Sequence, residues 1–187
     1  VIAGMNMANT YKLLKSITNH DTLEMAISGN EVIELIIQNQ AKKSSSKFTL
    51  KLLDINEDIL ESPDLETNVI TTLSSVDFQR ICRDMGNLSN EIDIFRDGDK
   101  LELSCLGDFA NQSTSIECPE TWETRVGNTF SLKYINLFTK ATGMCSSVQI
   151  MQHEDDNLMP IIFRYSIANL GEMKFYLAPK VGDELKD

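Results

Sequence analysis

The 187 residues carry 28 acidic and 17 basic side chains, 42% apolar content and a net charge of −11, the composition of one or two globular domains. Four cysteines (82, 105, 118, 145) lie far apart with no Cys-x-x-Cys pair, which argues against a zinc knuckle or a disulfide framework and fits a reducing compartment. With only His20 and His153, no Gly-rich phosphate loop, no His-Glu-x-x-His and no long apolar run, the usual carriers of hydrolase, kinase, zinc and membrane-helix function are missing.

In chain order, apolar spacing predicts a short amphipathic helix and two alternating strands, a unit that then recurs. The first copy places Met7, Thr10, Leu14 and Ile17 on one helical face. Leu23, Met25 and Ile27 alternate up to the turn Ser28-Gly29-Asn30, and Val32 to Ile37 returns. The second copy has Phe78, Ile81, Cys82 and Met85 at i, i+3, i+4 and i+7, behind Ser74 as N-cap with Asp77 three residues on. A hairpin is predicted next, with Ile92 and Ile94 entering the turn Arg96-Asp97-Gly98-Asp99 and Leu101, Leu103 and Cys105 leaving it. The third copy puts Tyr134, Ile135 and Phe138 on one face. Val148 and Ile150 then run into an acidic turn, and Ile161, Phe163, Tyr165 and Ile167 run out. Further strands are expected at Phe48 to Leu52, Val69 to Leu73, Phe109 to Ile116 and Met173 to Leu177, with Trp122 in a loop. Asp54 to Asn68, acidic and broken by Pro63, reads as an extended linker.

A chain at −11 should repel nucleic acid unless its cations gather on one surface. Each repeat carries two on the polar face of its helix: Lys12 and Lys15, Arg80 and Arg83, Lys133 and Lys140. Without a groove-reading helix, the contact expected from such pairs is with phosphates and blind to sequence. For enzyme chemistry the local candidates are His153-Glu154-Asp155-Asp156 and the Asp97/Asp99 pair, both read as solvated turns and not as metal or catalytic sites.

Three segments then carry a family resemblance: Phe78-Gln-Arg-Ile-Cys-Arg-Asp84, Tyr134-Ile-Asn-Leu-Phe-Thr-Lys-Ala-Thr142 and Lys174-Phe-Tyr-Leu-Ala-Pro-Lys180. They closely resemble the proliferating cell nuclear antigen family of DNA sliding clamps. The resemblance implies an α+β clamp fold of helix-hairpin repeats, with helices lining a ring and antiparallel sheets outside. It implies no enzyme activity, cofactor or metal. The implied domains are 1–53 as the second half of an N-terminal lobe, 54–68 as the interdomain connector loop and 69–187 as the C-terminal lobe. Three repeats where the family has four, together with a start at Val1 and not Met, are read as the sign of a fragment lacking the first half of that lobe.

Carried over by position, Lys12, Lys15, Arg80, Arg83, Lys133 and Lys140 match family residues that line the hole. Leu60, Pro63, Pro160, Tyr176, Leu177, Ala178 and Pro179 match the client-peptide pocket, in which Ser62 and Thr67 replace larger family residues. The subunit interface matches Ser44 to Lys51 (Ser44, Lys47, Thr49) against Phe109 to Ile116 (Phe109, Asn111, Ser113, Ser115). Arg96 stands where the family carries the lysine used for ubiquitin and SUMO attachment. Implied partners are double-stranded DNA read without sequence preference, a DNA polymerase and other clients carrying the family's interacting peptide, a clamp loader and two further copies in a homotrimer, with no membrane. The implied location is the nucleus or a viral replication compartment. The alternatives are a subunit of a checkpoint-type heterotrimeric clamp, or a protein-interaction module that binds no DNA.

Overall fold

The computed structural model describes residues 3–29, 31–55, 65, 67–154 and 158–180. The chain divides into two compact units, Val1–Ser62 and Pro63–Asp187, and the division falls inside the acidic segment.

In the first unit a single helix precedes a three-stranded antiparallel sheet. Helix α1 (Met7–Leu14) starts at Asn6, whose side chain accepts from the Asn9 N–H at 3.0 Å. Strands β1 (Asp21–Ser28), β2 (Val32–Asn39) and β3 (Ser44–Lys51) follow in that spatial order. Register places Met25 opposite Leu35 and Ile27 opposite Ile33, with Phe48 and Leu50 opposite the same two residues from β3. These side chains therefore share one sheet face. The central strand buries Ile33 and Leu35, yet Met25 and Ile27 on the edge strand are exposed. The helical stripe is also only partly realised. Thr10 is buried, its hydroxyl donating to the Asn6 carbonyl, while Met7 is exposed and Ile17 lies beyond the last turn.

The second unit begins with β4 (Val69–Ser74), which alternates buried and exposed residues and runs directly into α2 (Ser75–Gly86). Ser74 caps that helix by accepting from the Asp77 N–H, and Phe78, Ile81, Cys82 and Met85 form its buried face. Two long strands follow, β5 (Glu91–Leu106) and β6 (Asn111–Ser131), paired from Glu91↔Ser131 to Leu106↔Asn111. Then come α3 (Leu132–Phe138), a 3-10 turn (Thr139–Met144), β7 (Ser147–Gln152), β8 (Ile161–Ile167) and β9 (Gly171–Leu177). Strands β4, β7, β8 and β9 form a four-stranded antiparallel sheet in that order. Helices α2 and α3 pack on one another and on these strands, closing one apolar core. At its centre Phe78 stacks on Phe163 at 5.5 Å, Phe138 on Phe175 at 4.6 Å, and Tyr165 meets Phe175 edge-on at 5.9 Å.

Four local expectations need correcting. Arg96-Asp97-Gly98-Asp99 is not a hairpin turn: β5 runs straight through it with register shifts around Gly98, and the chain reverses only between Leu106 and Asn111. Gly98 supplies the positive φ of 56° that the irregularity needs, so the Asp-Gly pair marks a bulge. The Arg96 side chain locks it, turning inward to 3% exposure and donating to the Gly98 carbonyl at 2.8 Å and to the Glu120 carbonyl. Trp122 lies in β6 opposite Gly98, not in a loop. Tyr134 is on the exposed side of α3, whose buried residues are Leu132 and Ile135. Finally, α3 ends at Phe138, so Lys140 sits on the 3-10 turn and the seven-residue spacing from Lys133 does not define one α-helical face.

Candidate nucleic-acid interface

The six cations fall on three α-helices and the residues that directly follow two of them. Lys12 sits in α1 and Lys15 at its C-cap, both exposed, and Lys12 Nζ reaches Asn9 Oδ1 at 3.4 Å. In the second unit Arg80 and Arg83 project from α2 away from its Phe78/Cys82/Met85 face. Lys133 is exposed on α3 and Lys140 on the turn that follows. The second unit thus holds four of the six, with Arg80, Arg83 and Lys133 on the exposed sides of α2 and α3, whose opposite sides are taken up by the core, and Lys140 exposed on the 3-10 turn.

Their electrostatic settings differ. Arg80 faces Asp77 at 3.4 Å and Arg83 faces Asp84 at 3.7 Å, both exposed pairs of the kind worth little in water. Among the described residues no carboxylate pairs with Lys12, Lys15, Lys133 or Lys140. Lys133 Nζ instead lies 6.0 Å from the Tyr134 ring centroid. Lys12 and Lys15 in the first unit, and Lys133 and Lys140 in the second, thus keep their charge uncompensated by a carboxylate partner in a chain at −11.

The peptide-pocket residues divide. Leu60 and Pro63 lie outside the described residues, as does Ser62. The other five meet at one end of the β8–β9 pair: Ile161 is opposite Leu177, so Pro160 precedes one strand where Ala178 and Pro179 follow the other, with Tyr176 opposite Ile162. The Lys180 N–H donates to the Thr129 carbonyl at 2.9 Å, and its ammonium pairs with Glu91, which ties this terminal segment to the β5–β6 pair. Pro160 also lines a small, open pocket with Val126, Asn128, Phe130, Gln152 and His153. The edge-strand residues Ser44, Lys47 and Thr49 are exposed on β3, beyond which no further strand pairs among the described residues. Lys47 reaches Glu34 on the neighbouring strand at 2.7 Å. Asn111, Ser113 and Ser115 are exposed on β6, and Phe109 is exposed in the turn before it.

Two of the candidates for enzyme chemistry, Glu154 and Asp97, hold structural contacts. Glu154 accepts from Thr124 at 3.0 Å and its N–H donates to Asn68, while Asp97 lies 3.9 Å from Arg125. Asp155 and Asp156 lie outside the described residues. Among the described residues no cluster of three or more His, Cys, Asp and Glu could hold a metal ion, and no helix is long and apolar enough to cross a membrane.

Two features escaped the sequence reading. Tyr11 is exposed beside Lys12, a neighbourhood that the tripeptide Thr10-Tyr11-Lys12 would have signalled had the polar face been read residue by residue. Arg125 lies over the Phe95 ring at 4.3 Å, a cross-strand contact with no signal at all in the sequence because its register depends on the bulge at Gly98.

Residues 61–180 match the family described as proliferating cell nuclear antigen, C-terminal domain. The chain is 36% identical over 188 residues to a probable DNA polymerase sliding clamp 1 of Paramecium bursaria Chlorella virus 1, covering 94% of this chain and 71% of that protein. It is 32% identical over 196 residues to the proliferating cell nuclear antigen of Chaetomium thermophilum, covering 98% of this chain and 74% of that protein.

Proposed function

The chain belongs to the proliferating cell nuclear antigen family of DNA sliding clamps, and from that membership we propose that it works as a non-enzymatic tether for a DNA polymerase, holding duplex DNA through weak, replaceable phosphate contacts. The observation that carries the reading is the set of unopposed lysines Lys12, Lys15, Lys133 and Lys140 on an otherwise acidic protein, joined on α2 by Arg80 and Arg83. Contacts of this kind carry no sequence information, which is what a protein that must move along DNA requires.

Around that core the remaining assignments follow as one scheme. Residues 1–53 act as the second half of an N-terminal clamp lobe, joined by the connector 54–68 to the C-terminal lobe 69–187. Strand β3 pairs with β6 of another copy, a head-to-tail contact that closes into a homotrimeric ring opened by a clamp loader. Client peptides dock where Pro160 and Tyr176 to Pro179 meet, with Leu60 and Pro63 as the connector's contribution. The working location is the nucleus or a viral replication compartment. Light scattering gives the oligomer directly: a trimer mass supports the ring, and a stable monomer favours the checkpoint-type subunit or the interaction module.

Replacing Lys12, Lys15, Arg80, Arg83, Lys133 and Lys140 together by Ala tests the central claim. These side chains avoid the core, so the circular dichroism spectrum should be unchanged while polymerase stimulation on primed DNA falls. Undiminished stimulation would remove the inner-surface assignment.

A further inference from the structure

We propose that Tyr11 is a DNA-contact residue, its phenol O–H donating to a backbone phosphate that Lys12 and Lys15 attract. The inference rests on the reading of α1 as a DNA-facing helix and extends that reading to a neutral side chain the charge pattern does not reveal.

Successive side chains on a helix turn by about 100°, which puts Lys15 about 40° and Lys12 about 100° from Tyr11 on one side, and buried Thr10 about 100° away on the other. Tyr11 and the two lysines therefore share the face that the sheet does not cover, and Tyr11 is 67% exposed. An aromatic ring left that open on a short helix gains little from burial. Tyrosine favours surfaces where a ring meets apolar groups and its hydroxyl finds a polar partner. Among the described residues that hydroxyl has no hydrogen bond, and Lys15 has no carboxylate partner.

The arrangement recurs in the other unit. On α3, Lys133 lies over Tyr134, which is 48% exposed, with Leu137 exposed one turn on. Helix α2 has arginines in place of lysines, no tyrosine, and a carboxylate beside each cation. An exposed tyrosine thus accompanies the cations on the two helices whose lysines are unopposed. A DNA backbone matches both parts of this face: phosphate oxygens accept from the phenol and the ammonium groups, and the deoxyribose edge offers the ring an apolar surface.

A neutral donor and a cation leave different signatures. Removing a lysine removes one released counterion, so the slope of log affinity against log salt falls by about 1. Removing the phenol oxygen removes a hydrogen bond and no counterion. The test is fluorescence anisotropy of the full chain with a labelled duplex across a salt series, for the wild type, Tyr11→Phe, Tyr11→Ala and Lys12→Ala. Tyr11→Phe should weaken binding roughly 3- to 10-fold at every salt with the slope unchanged, the size of one ordinary net hydrogen bond at a solvent-exposed site. Wild-type affinity for Tyr11→Phe overturns the proposal, and if Tyr11→Ala alone is weakened, the ring and not the hydroxyl makes the contact, which also overturns it. If Lys12→Ala keeps the wild-type slope, the DNA-facing reading of α1 fails and the proposal falls with it. A lowered Lys12→Ala slope beside a wild-type Tyr11→Phe leaves that reading standing and removes only the tyrosine.

Discussion

The two units are built from the same ingredients and held together differently. Unit two buries Phe78, Met85, Ile92, Leu103, Phe130, Ile135, Phe163 and Tyr165 among others, because two helices cover its strands. Among the described residues, unit one buries only Ile33, Leu35 and Thr10 to a comparable degree, and α1 is the only α-helix described in it. Its order depends visibly on polar clips: the Asn6 cap, the Thr10 hydroxyl on the Asn6 carbonyl, and Asp21 joined to Thr18 and Asn39. The lesson is that an alternating apolar strand predicts a sheet face but not its burial, which is decided by what packs against that face.

The largest break in that comparison should come from the aromatic core. Phe163 stacks on Phe78 at 5.5 Å and lies 6.1 Å from Phe138, so Phe163→Ala removes the ring shared by both helices. The expected loss is about 3–5 kcal/mol, of the size found when a buried aromatic is truncated. The single tryptophan, Trp122, lies in this unit, so urea unfolding followed by its fluorescence reads the effect. Met25→Ala is the matched change in unit one. Met25 is 61% exposed, so the shift should stay within about 0.5 kcal/mol, measured by hydrogen exchange across β1 and β2.

A smaller effect is expected at the bulge. Arg96 is buried without a carboxylate partner among the described residues, and its guanidinium satisfies the Gly98 and Glu120 carbonyls together. Truncation to Ala leaves both acceptors unpaired at a cost of about 2–3 kcal/mol. Arg96→Lys sharpens the point, because an ammonium on a flexible stem cannot reproduce a rigid two-pronged donor. It should recover less than half of the loss in the same urea experiment. Full recovery would mean that charge alone, and not the fork, holds the bulge.

Legibility in the sequence follows the same divide. Helix α2 could be read almost residue by residue, because capping at Ser74 and the i, i+3, i+4, i+7 pattern are local and the core then uses all of that face. Strand β8 could be read for the same reason, its alternation ending in real burial at Ile161, Phe163 and Tyr165. The Asp97-Gly98 pair misled because a tight turn and a bulge ask for the same positive φ. What distinguishes them is the partner strand, and β6 up to Ser131 carries Pro119 and a run of polar residues that hide its strand character. Tyr134 misled in the opposite sense, since an aromatic at helical spacing reads as core whether or not anything covers it. Of the candidate sites, the cations on helices were legible because exposure of a charged face needs no tertiary information. The meeting of Pro160 with Tyr176 to Pro179 was not legible from spacing, because it depends on the β8–β9 register, and only the family resemblance named those residues.

The smallest expected effect separates the units by pH. Asp21 accepts from the Thr18 N–H at 2.8 Å and its hydroxyl at 2.9 Å, and from Asn39 Nδ2 at 2.5 Å. These bonds, the Thr18 amide first and Asn39 next, favour the ionised carboxylate and hold its pKa below the ordinary 3.8, with a minor contribution from Lys42. A pKa depressed by folding stabilises at pH values above the unfolded value, and that contribution is lost as pH falls through the folded one. Acid should therefore loosen the connection between α1 and β1 while leaving the Phe78/Phe163 stack, which has nothing to titrate, in place. In unit two Glu172 behaves similarly, its pKa lowered mainly by the hydrogen bond from Lys174, but it sits at the exposed end of the β8–β9 pair and not in the core. An NMR titration reads both units at once: the Thr18 amide shift should follow the Asp21 carboxyl with a midpoint below 3.8, and Asp21→Asn should abolish that step. Core methyl signals of Ile135 and Ile150 should stay unmoved over the same range. A Thr18 midpoint at or above the ordinary value would show that the clip does not form, and simultaneous movement of the core methyls would show that the two units do not differ in what holds them.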